Sequence, residues 1–264
     1  MRHDRCDAGH PPDGGTPSTY PYALELEQVS LSFDKEPVLR NLDLKVAQGE
    51  TRVILGRSGA GKSTILKLAL GLLRPDSGRV KVFGVDITGR RERELAEMRH
   101  RIGMVFQGGA LFDSMSVAEN VGFCLLEKHQ IPMEQAAPVI RERLHYVGLE
   151  DAFDLMPSQL SGGMAKRVAV ARATVCHPEL MLYDEPTGGL DPISTRRMNR
   201  LINRLRDDLH VTSVVVTHIL RDARTVADAI TMIHEGRTIF EGTPADILAS
   251  TDPFVRDFIS ERGI

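Results

Sequence analysis

The sequence predicts an α/β fold in which a mainly parallel sheet is flanked by helices, with antiparallel strands at the start and a helical block in the middle. Three observations lead to this prediction. The short apolar run Thr51–Leu55 leads into a glycine-rich loop and then into apolar residues at helical spacing. Between about Ser116 and Cys176 strand signals are sparse and helical periodicity dominates. After that block, apolar strand runs alternate with helical segments, as in parallel sheets.

The elements before the helical block are predicted to be mostly strands. Two antiparallel strands are expected over 24–33 and 38–46, and a short buried strand over 102–106. A strand region near a sheet edge is indicated by four apolar residues, Val80, Val82, Val85 and Ile87.

After the helical block, three apolar runs predict strands, and they are Leu180–Tyr183, Val211–Val216 and Ile230–Ile233. A helix is expected over Arg196–Leu209, between the first two of these runs. The stretch Thr243–Ile259 is expected to form two short helices.

We predict one main domain with a short segment at each end. Residues 1–22 are rich in proline and glycine and lack the apolar core of a secretory signal, so we expect a disordered tail. Residues 23–250 would form the domain, with the helical block inserted at about 110–175. Residues 251–264 are expected to form a short C-terminal helix.

Composition narrows the range of functions. The 264-residue chain has a net charge of −3, so there is no basic excess that would favour binding to nucleic acid. No apolar run reaches the ~18–20 residues that span a bilayer. Cys6, Cys124 and Cys176 are far apart and fit neither a zinc site nor a disulfide framework, so we expect reduced thiols.

Residues 56–64 fit the phosphate-binding pattern G-x-x-x-x-G-K-[ST]. The residues expected to bind nucleotide phosphates here are Gly56, Arg57, Ser58, Gly59, Ala60, Gly61, Lys62, Ser63 and Thr64. The glycines let backbone N–H groups turn onto phosphate oxygens, and the following helix N-terminus adds partial positive charge. Lys62 can reach the β- and γ-phosphates, and the Ser63 hydroxyl can ligate Mg²⁺. The alternative is a glycine-rich turn with a surface lysine.

Asp184 and Glu185 directly follow the predicted strand Leu180–Tyr183. In α/β sheets, ligands lie at the carboxyl ends of the strands, so this pair is placed where a substrate would bind. Asp184 is expected to hold Mg²⁺, usually through water, and Glu185 to orient or deprotonate the attacking water. The alternative, two solvated carboxylates at a strand end, is disfavoured by the phosphate loop upstream.

The segment Leu160-Ser161-Gly162-Gly163 is the third motif. Ser161 can cap the helix that starts here, and the two glycines leave space for a ligand at the helix end. A phosphate loop, then L-S-G-G, then four apolar residues and D-E is an order that resembles ABC-type ATPases, over about residues 24–250. The resemblance implies a P-loop NTPase (RecA-like) core, an antiparallel β subdomain and an inserted α-helical subdomain.

The resemblance also implies roles for four further residues. Gln107 resembles the Q-loop glutamine that contacts Mg²⁺ and the attacking water, and Asp191 resembles the D-loop aspartate at the dimer interface. His218 resembles the switch histidine on the γ-phosphate, and Phe33 the aromatic residue that stacks on adenine. Each position also has a structural interpretation: a turn amide, a helix N-cap, a strand-end histidine and a packed phenylalanine.

ABC-type ATPases bind ATP and Mg²⁺ and hydrolyse ATP as head-to-tail dimers, so the resemblance implies both cofactors and a second copy of this chain. Each ATP would lie between the phosphate loop of one copy and Ser161, Gly162 and Gly163 of the other. The resemblance further implies an integral-membrane permease and a cytoplasmic location on the inner face of the membrane. Phe112, Met115 and Val117 either line the groove that receives the permease or belong to the core of the helical block.

Met164 stands where the family usually has glutamine. The segment L-S-G-G-M-A-K-R-V-A-V-A-R-A and residues 106–117 resemble the ATPase subunit of Mla-type lipid transporters, which work with a permease and an MCE-domain lipid-binding protein. The resemblance therefore implies that ATP hydrolysis drives phospholipid trafficking. The alternatives are a transporter of amino acids, metals or drugs, and a soluble ABC ATPase, which the single cassette and the lack of basic excess disfavour.

Overall fold

The computed structural model describes residues 20–128 and 130–261. Its strands are β1 Tyr22–Phe33, β2 Glu36–Ala47, β3 Thr51–Leu55, β4 Ser77–Val82, β5 Val85–Asp86, β6 Ile102–Val105, β7 Leu180–Asp184, β8 Thr212–Thr217, β9 Ala229–His234 and β10 Arg237–Gly242. Its α-helices are α1 Lys62–Ala69, α2 Glu92–Arg99, α3 Val117–Phe123, α4 Met133–Tyr146, α5 Gly162–Thr174, α6 Pro192–Leu209, α7 Leu220–Val226, α8 Asp246–Ala249 and α9 Pro253–Glu261. In these two stretches, no helix combines the length and apolar character needed to cross a membrane.

The strands form two sheets. The larger sheet has the order β10-β9-β3-β8-β7-β6, and its pairs are parallel except β10 with β9. The smaller sheet has the order β2-β1-β4-β5 and is antiparallel. The predicted α/β fold with a separate antiparallel region is therefore confirmed.

Side-chain alternation in the larger sheet separates two apolar cores. Val53 and Tyr183 point into a core with the helical block, whereas Ile54 and Leu182 point into a second core with α1 and the smaller sheet. Because both faces are covered, β3 and β7 each contain consecutive apolar residues, Val53–Leu55 and Leu180–Tyr183.

The strand order places the carboxyl ends of β3, β8 and β7 side by side. The phosphate loop follows β3, Asp184 ends β7 and His218 follows β8. Three segments that are far apart in sequence therefore meet at one edge of the sheet, as is general for ligand sites in α/β folds.

The described residues between 116 and 176 form helices joined by turns and contain no strand, as predicted, with α3, α4 and α5 packed on one another. A π-helical segment, Cys124–Lys128, continues α3. Val117 is fully buried, so the prediction that it could line a permease groove is wrong and its alternative, a core position, holds. Phe112 is 43% exposed and Met115 is partly exposed, so both remain available at the surface.

Several boundaries differ from the predictions. The strand predicted over 102–106 ends at Val105, and Phe106 is 43% exposed. The helix predicted from Arg196 starts earlier, at Pro192, because Asp191 caps it. Strand β10 was not predicted; it follows β9 through a tight turn in which Glu235 and Gly236 both have positive φ.

The described residues include the last three of the predicted tail, 20–22. Strand β1 begins at Tyr22, and the Tyr20 hydroxyl donates to Glu179 Oε2 at 2.8 Å and accepts from Arg101 Nη2 at 2.7 Å. Residues 1–19, which hold most of the predicted tail, and residues 262–264 lie outside the described residues. The domain limits 23–250 and 110–175 stay predictions, and α9 lies within the predicted C-terminal helix.

The cysteines are not all far apart in space. Neither Cys124, at the start of the π-helical segment, nor Cys176, after α5, forms a disulfide, and their side chains lie within hydrogen-bonding reach of each other. Their separation in the sequence gave no sign of this contact. Cys6 lies outside the described residues.

Candidate active site

The phosphate loop wraps around its own lysine. The Lys62 side chain is 6% exposed, and its Nζ donates to the carbonyl oxygens of Gly56 and Arg57, both at 3.0 Å. Gly61, the N-cap of α1, has a φ of +95°, and a Cβ there would lie 2.8 Å from a methyl carbon of Leu39. The backbone needs glycine at this position for both reasons.

Other residues of the loop face different directions. The Arg57 side chain points to helix α9, where its Nη2 lies 3.1 Å from Asp257 Oδ2 and its guanidinium lies 5.1 Å from the Phe254 ring centroid. Its carbonyl, not its side chain, faces Lys62. Ser58 and Gly59 are exposed, Ala60 is buried, and Thr64 is half-buried. In the structure the loop therefore holds the Lys62 ammonium with its own carbonyls, while Ser58 and Gly59 lie at the surface.

Ser63 and Asp184 are joined directly. Ser63 Oγ donates to Asp184 Oδ1 at 2.9 Å. Burial raises the pKa of Asp184, the hydrogen bond from Ser63 lowers it, and the neighbouring Glu185 carboxylate raises it, with a net upward shift. These two side chains present adjacent oxygen atoms, which are the ligands that Mg²⁺ prefers.

The donor set around Asp184 fits a magnesium ion that is completed by phosphate and water. Among residues 20–128 and 130–261, no group of three or more His, Cys, Asp and Glu side chains is arranged to hold a metal. A dedicated protein cage is therefore absent from the described part, and a site of one or two protein oxygens is the usual arrangement for Mg²⁺ at nucleotides.

Glu185 is held in a defined orientation. It is 9% exposed, and its Oε1 lies 2.9 Å from His218 Nδ1 and 3.7 Å from Lys62 Nζ. Its Oε2 accepts from Thr217 Oγ1 at 3.2 Å. Its backbone N–H donates to Val216 O at 3.0 Å, and its φ is +47°, in the left-handed region that non-glycine residues rarely adopt. A carboxylate between a lysine and a histidine is placed to accept a proton from water or to orient it.

Gln107 lies next to this group. It is exposed after β6, and its Nε2 would lie 4.0 Å from a Cβ at Gly188, three residues beyond Glu185. The structure therefore places Gln107 beside the turn that follows Glu185.

Within one chain, Ser161 and Asp191 each cap the N-terminus of a helix. Ser161 Oγ accepts from Met164 N at 3.3 Å and caps α5, which confirms the predicted cap. Asp191 Oδ1 accepts from Ile193 N and Ser194 N and caps α6. Ser161 and Asp191 are both exposed, as surfaces that face a partner would be.

The remaining predicted residues lie near these caps or on the smaller sheet. Gly162 is exposed, and a Cβ there would meet no atom within 4 Å. Gly163, in contrast, is tightly packed, since a Cβ there would lie 2.9 Å from Ser194 Oγ. Phe33 ends β1 and is 46% exposed, so it is a surface ring and not a core residue.

A family model described as "ABC transporter" matches residues 39–188. The intermembrane phospholipid transport system ATP-binding protein MlaF of Haemophilus influenzae is 40% identical over 236 residues, which cover 89% of each chain. The chain belongs to the ABC transporter family. It is the ATPase subunit of an ABC transporter, an ABC ATPase that binds and hydrolyses ATP.

Other relatives of this ABC ATPase carry different names. A probable ribonucleotide transport ATP-binding protein mkl of Mycobacterium leprae is 37% identical over 92% of this chain and 70% of its own length. A sulfate/thiosulfate import ATP-binding protein CysA of Thermosynechococcus vestitus is 41% identical over 89% of this chain and 69% of its own length. Sequence identity alone therefore does not indicate which substrate the transporter carries.

Solved structures give the same fold. CbiO1 of Clostridium perfringens, described as part of the ABC transporter complex CbiONQ, matches with a TM-score of 0.81 and 29% identity over 88% of this chain and 92% of its own. The cassette MJ0796, in a dimeric post-hydrolysis state with ADP and phosphate, matches with a TM-score of 0.77 and 31% identity over 84% of this chain and 98% of its own. The predicted ABC ATPase fold is confirmed.

Three residues of the site were not predicted: Lys166, Thr217 and Asp222. Lys166 stands four residues before the buried Val170 on α5, so a charged residue on the apolar face of that helix was the available signal. Asp222 offered no comparable signal, because its partners come from other segments of the chain.

Proposed function

We propose that Lys62, Ser63, Gln107, Asp184, Glu185 and His218 form the hydrolytic site of this ABC ATPase. Lys62 would bind the β- and γ-phosphates together with the loop amides, and Phe33 would stack on adenine. Ser63, Asp184 and Gln107 would hold Mg²⁺, which neutralises phosphate charge when bound. Glu185 would take the proton of the attacking water or orient it, and His218 would contact the γ-phosphate.

The observation that supports these roles is the placement of Glu185. Its carboxylate contacts Thr217 and His218 at the end of β8, the strand beside β7, and Lys62 of the phosphate loop. A fixed carboxylate needs little reorganisation during the reaction, which is what phosphoryl transfer requires of the protein.

The substitution Glu185→Gln tests this assignment. It keeps the shape of the side chain and removes its basicity, so we expect ATP binding to be retained and kcat to fall by at least about 100-fold. Glu97→Gln, at an exposed residue of α2, is the matched control and should keep normal turnover. Near-normal turnover of Glu185→Gln, measured by phosphate release, would remove Glu185 from the mechanism.

We further propose that two copies of this chain pack head to tail around ATP. Ser161 and Asp191 are exposed helix-cap residues, and Gly162, the exposed first residue of α5, leaves open space beside it. The N-terminus of α5 carries partial positive charge and is suited to a phosphate from a partner copy. The dimeric, ADP- and phosphate-bound state described for MJ0796 supports this arrangement.

We propose that the dimer drives phospholipid transport through an integral-membrane permease, with an MCE-domain lipid-binding protein as a further partner, at the cytoplasmic face of the membrane. MlaF of Haemophilus influenzae matches this chain over 89% of both lengths, whereas CysA and mkl have about a third of their length outside the match. Met164 in the L-S-G-G-M motif is a further point of support, by resemblance.

The test is to purify the tagged protein from its native membranes in a mild detergent and to identify the proteins and lipids that accompany it. A multi-span permease with an MCE-domain protein and bound phospholipid supports the proposal. A permease with another kind of substrate-binding protein, such as one for sulfate, would replace the substrate and keep the ATPase role. Absence of any membrane protein would refute the transport partnership proposed here.

A further inference from the structure

Lys166 is a buried lysine whose ammonium group contacts the segment that carries Glu185. It lies on α5 and is 6% exposed. Its Nζ donates to Gly188 O at 2.6 Å and to Glu185 O at 3.3 Å. A lysine is seldom buried without partners, and here the partners are two carbonyls of one turn.

That turn needs support because Glu185 has a φ of +47°. The Gly188 N–H donates to Glu185 O at 3.1 Å and closes the turn. Lys166 adds a charged donor to the same carbonyl and also holds the carbonyl at the other end. Charge-assisted hydrogen bonds are stronger than neutral ones, so Lys166 is suited to hold a backbone conformation that glutamate alone disfavours.

The same helix extends from Lys166 to the Ser161 cap. A Cβ at Gly163 would lie 2.9 Å from Ser194 Oγ, so the first turn of α5 is in close contact with the first turn of α6. Helix α5 therefore forms a stiff link between the exposed Ser161 end and the turn that begins at Glu185.

We propose that Lys166 is a positioning residue for ATP hydrolysis. It fixes the Glu185–Gly188 turn. It thereby joins the catalytic glutamate to helix α5 of the same copy, whose Ser161 end faces the nucleotide held by the other copy. This proposal rests on the proposed roles of Glu185 and of the head-to-tail dimer. Loss of Lys166 should therefore lower kcat and the cooperativity of the two sites, while ATP binding by the phosphate loop is kept.

The experiment compares Lys166→Met, Lys166→Arg and Arg167→Met in the full chain. Arg167 is the matched control, because it is the next residue of α5 and its Nη1 donates to two carbonyls, Val147 O at 2.8 Å and Gly148 O at 2.9 Å, away from Glu185. Measured quantities are kcat, KM and the Hill coefficient for ATP, the affinity for a fluorescent ATP analogue, and the melting temperature.

We expect Lys166→Met to lower kcat by at least about tenfold, since small misplacements of catalytic groups have effects of this size, with KM changed by less than about twofold. We expect its Hill coefficient to fall towards 1. Lys166→Arg should recover most of the activity, and Arg167→Met should lose thermal stability but keep kcat. If Lys166→Met does not fold, Lys166→Leu replaces it, and the same split between kcat and KM is expected.

Two results would overturn the proposal. One is a folded Lys166→Met or Lys166→Leu protein with kcat within twofold of the native value. The other is an equal loss of kcat in the Lys166 and Arg167 variants, which would indicate a general structural role. Glu185→Gln, assayed in parallel, shows which proposal has failed. If Glu185→Gln turns over ATP normally, the proposed role of Glu185 fails. If Glu185→Gln is inactive and Lys166→Met is active, only the inference about Lys166 fails.

Discussion

Asp222 is a buried carboxyl group that joins three segments near the active site, and its removal should destabilise the fold measurably. It lies on α7 and is 6% exposed. Its Oδ2 accepts from Thr187 Oγ1 at 2.6 Å, and its Oδ1 accepts from Asn199 Nδ2 at 3.1 Å. Thr187 belongs to the turn after Glu185, so the network fixes that turn against α6 and α7.

The substitution Asp222→Ala leaves two buried donors without an acceptor. An unsatisfied buried donor costs about 1–3 kcal/mol, so we expect the free energy of unfolding to fall by about 2–4 kcal/mol. Thr187→Val removes one donor and leaves the Asn199 bond, so it should cost about 1–2 kcal/mol. The double variant should lose less than the sum of the two by about 1–2 kcal/mol, because both remove the same hydrogen bond.

The assay is urea unfolding followed by circular dichroism, with the four proteins of the double-mutant cycle measured together. The transition midpoint should move while its slope stays constant, since the surface exposed on unfolding is unchanged. Asp207→Ala, which removes an exposed carboxylate of α6, should change the stability by less than about 1 kcal/mol. A loss below about 0.5 kcal/mol for Asp222→Ala, or additive effects in the cycle, would refute the reasoning.

Two further predictions concern the cysteine pair and a close backbone contact. The hydrogen bond from Cys176 lowers the pKa of Cys124 to about 7, although burial opposes the shift. The Cys124 thiolate should therefore form at lower pH, and its alkylation by iodoacetamide should rise through about pH 7. Cys176→Ala should move the midpoint of this rise to higher pH, and an unchanged midpoint would contradict the hydrogen bond. Gly78 has a φ of +89°, and a Cβ there would lie 2.4 Å from Gln28 O. Gly78→Ala should therefore lower the free energy of unfolding, measured by urea unfolding, by about 2–4 kcal/mol. A loss under about 1 kcal/mol would contradict the close packing at this glycine.

Much of the fold could be predicted because its signals are local. The runs Val53–Leu55 and Leu180–Tyr183 are short and apolar, which is typical of strands covered on both faces, and both lie in strands of the structure. Phe106 was misassigned because a single apolar residue after a strand gives no sign of its exposure. Strand β10 was missed because its residues are half-buried or exposed and lack a clear alternation.

The sequence by itself determined the phosphate loop, the Asp184–Glu185 pair and the helix caps at Ser161 and Asp191, because each depends on neighbouring residues whose spacing specifies a local geometry. Only the tertiary structure decided that Cys124 and Cys176 meet, that Arg57 turns away to α9, and which groups hold the turn after Glu185. Lys166 reaches that turn across 19–22 residues and Asp222 across 35, and such contacts depend on how helices pack on the finished sheet. Periodicity shows which face of a helix is buried, but the partner that covers it is set by the packing of the whole domain.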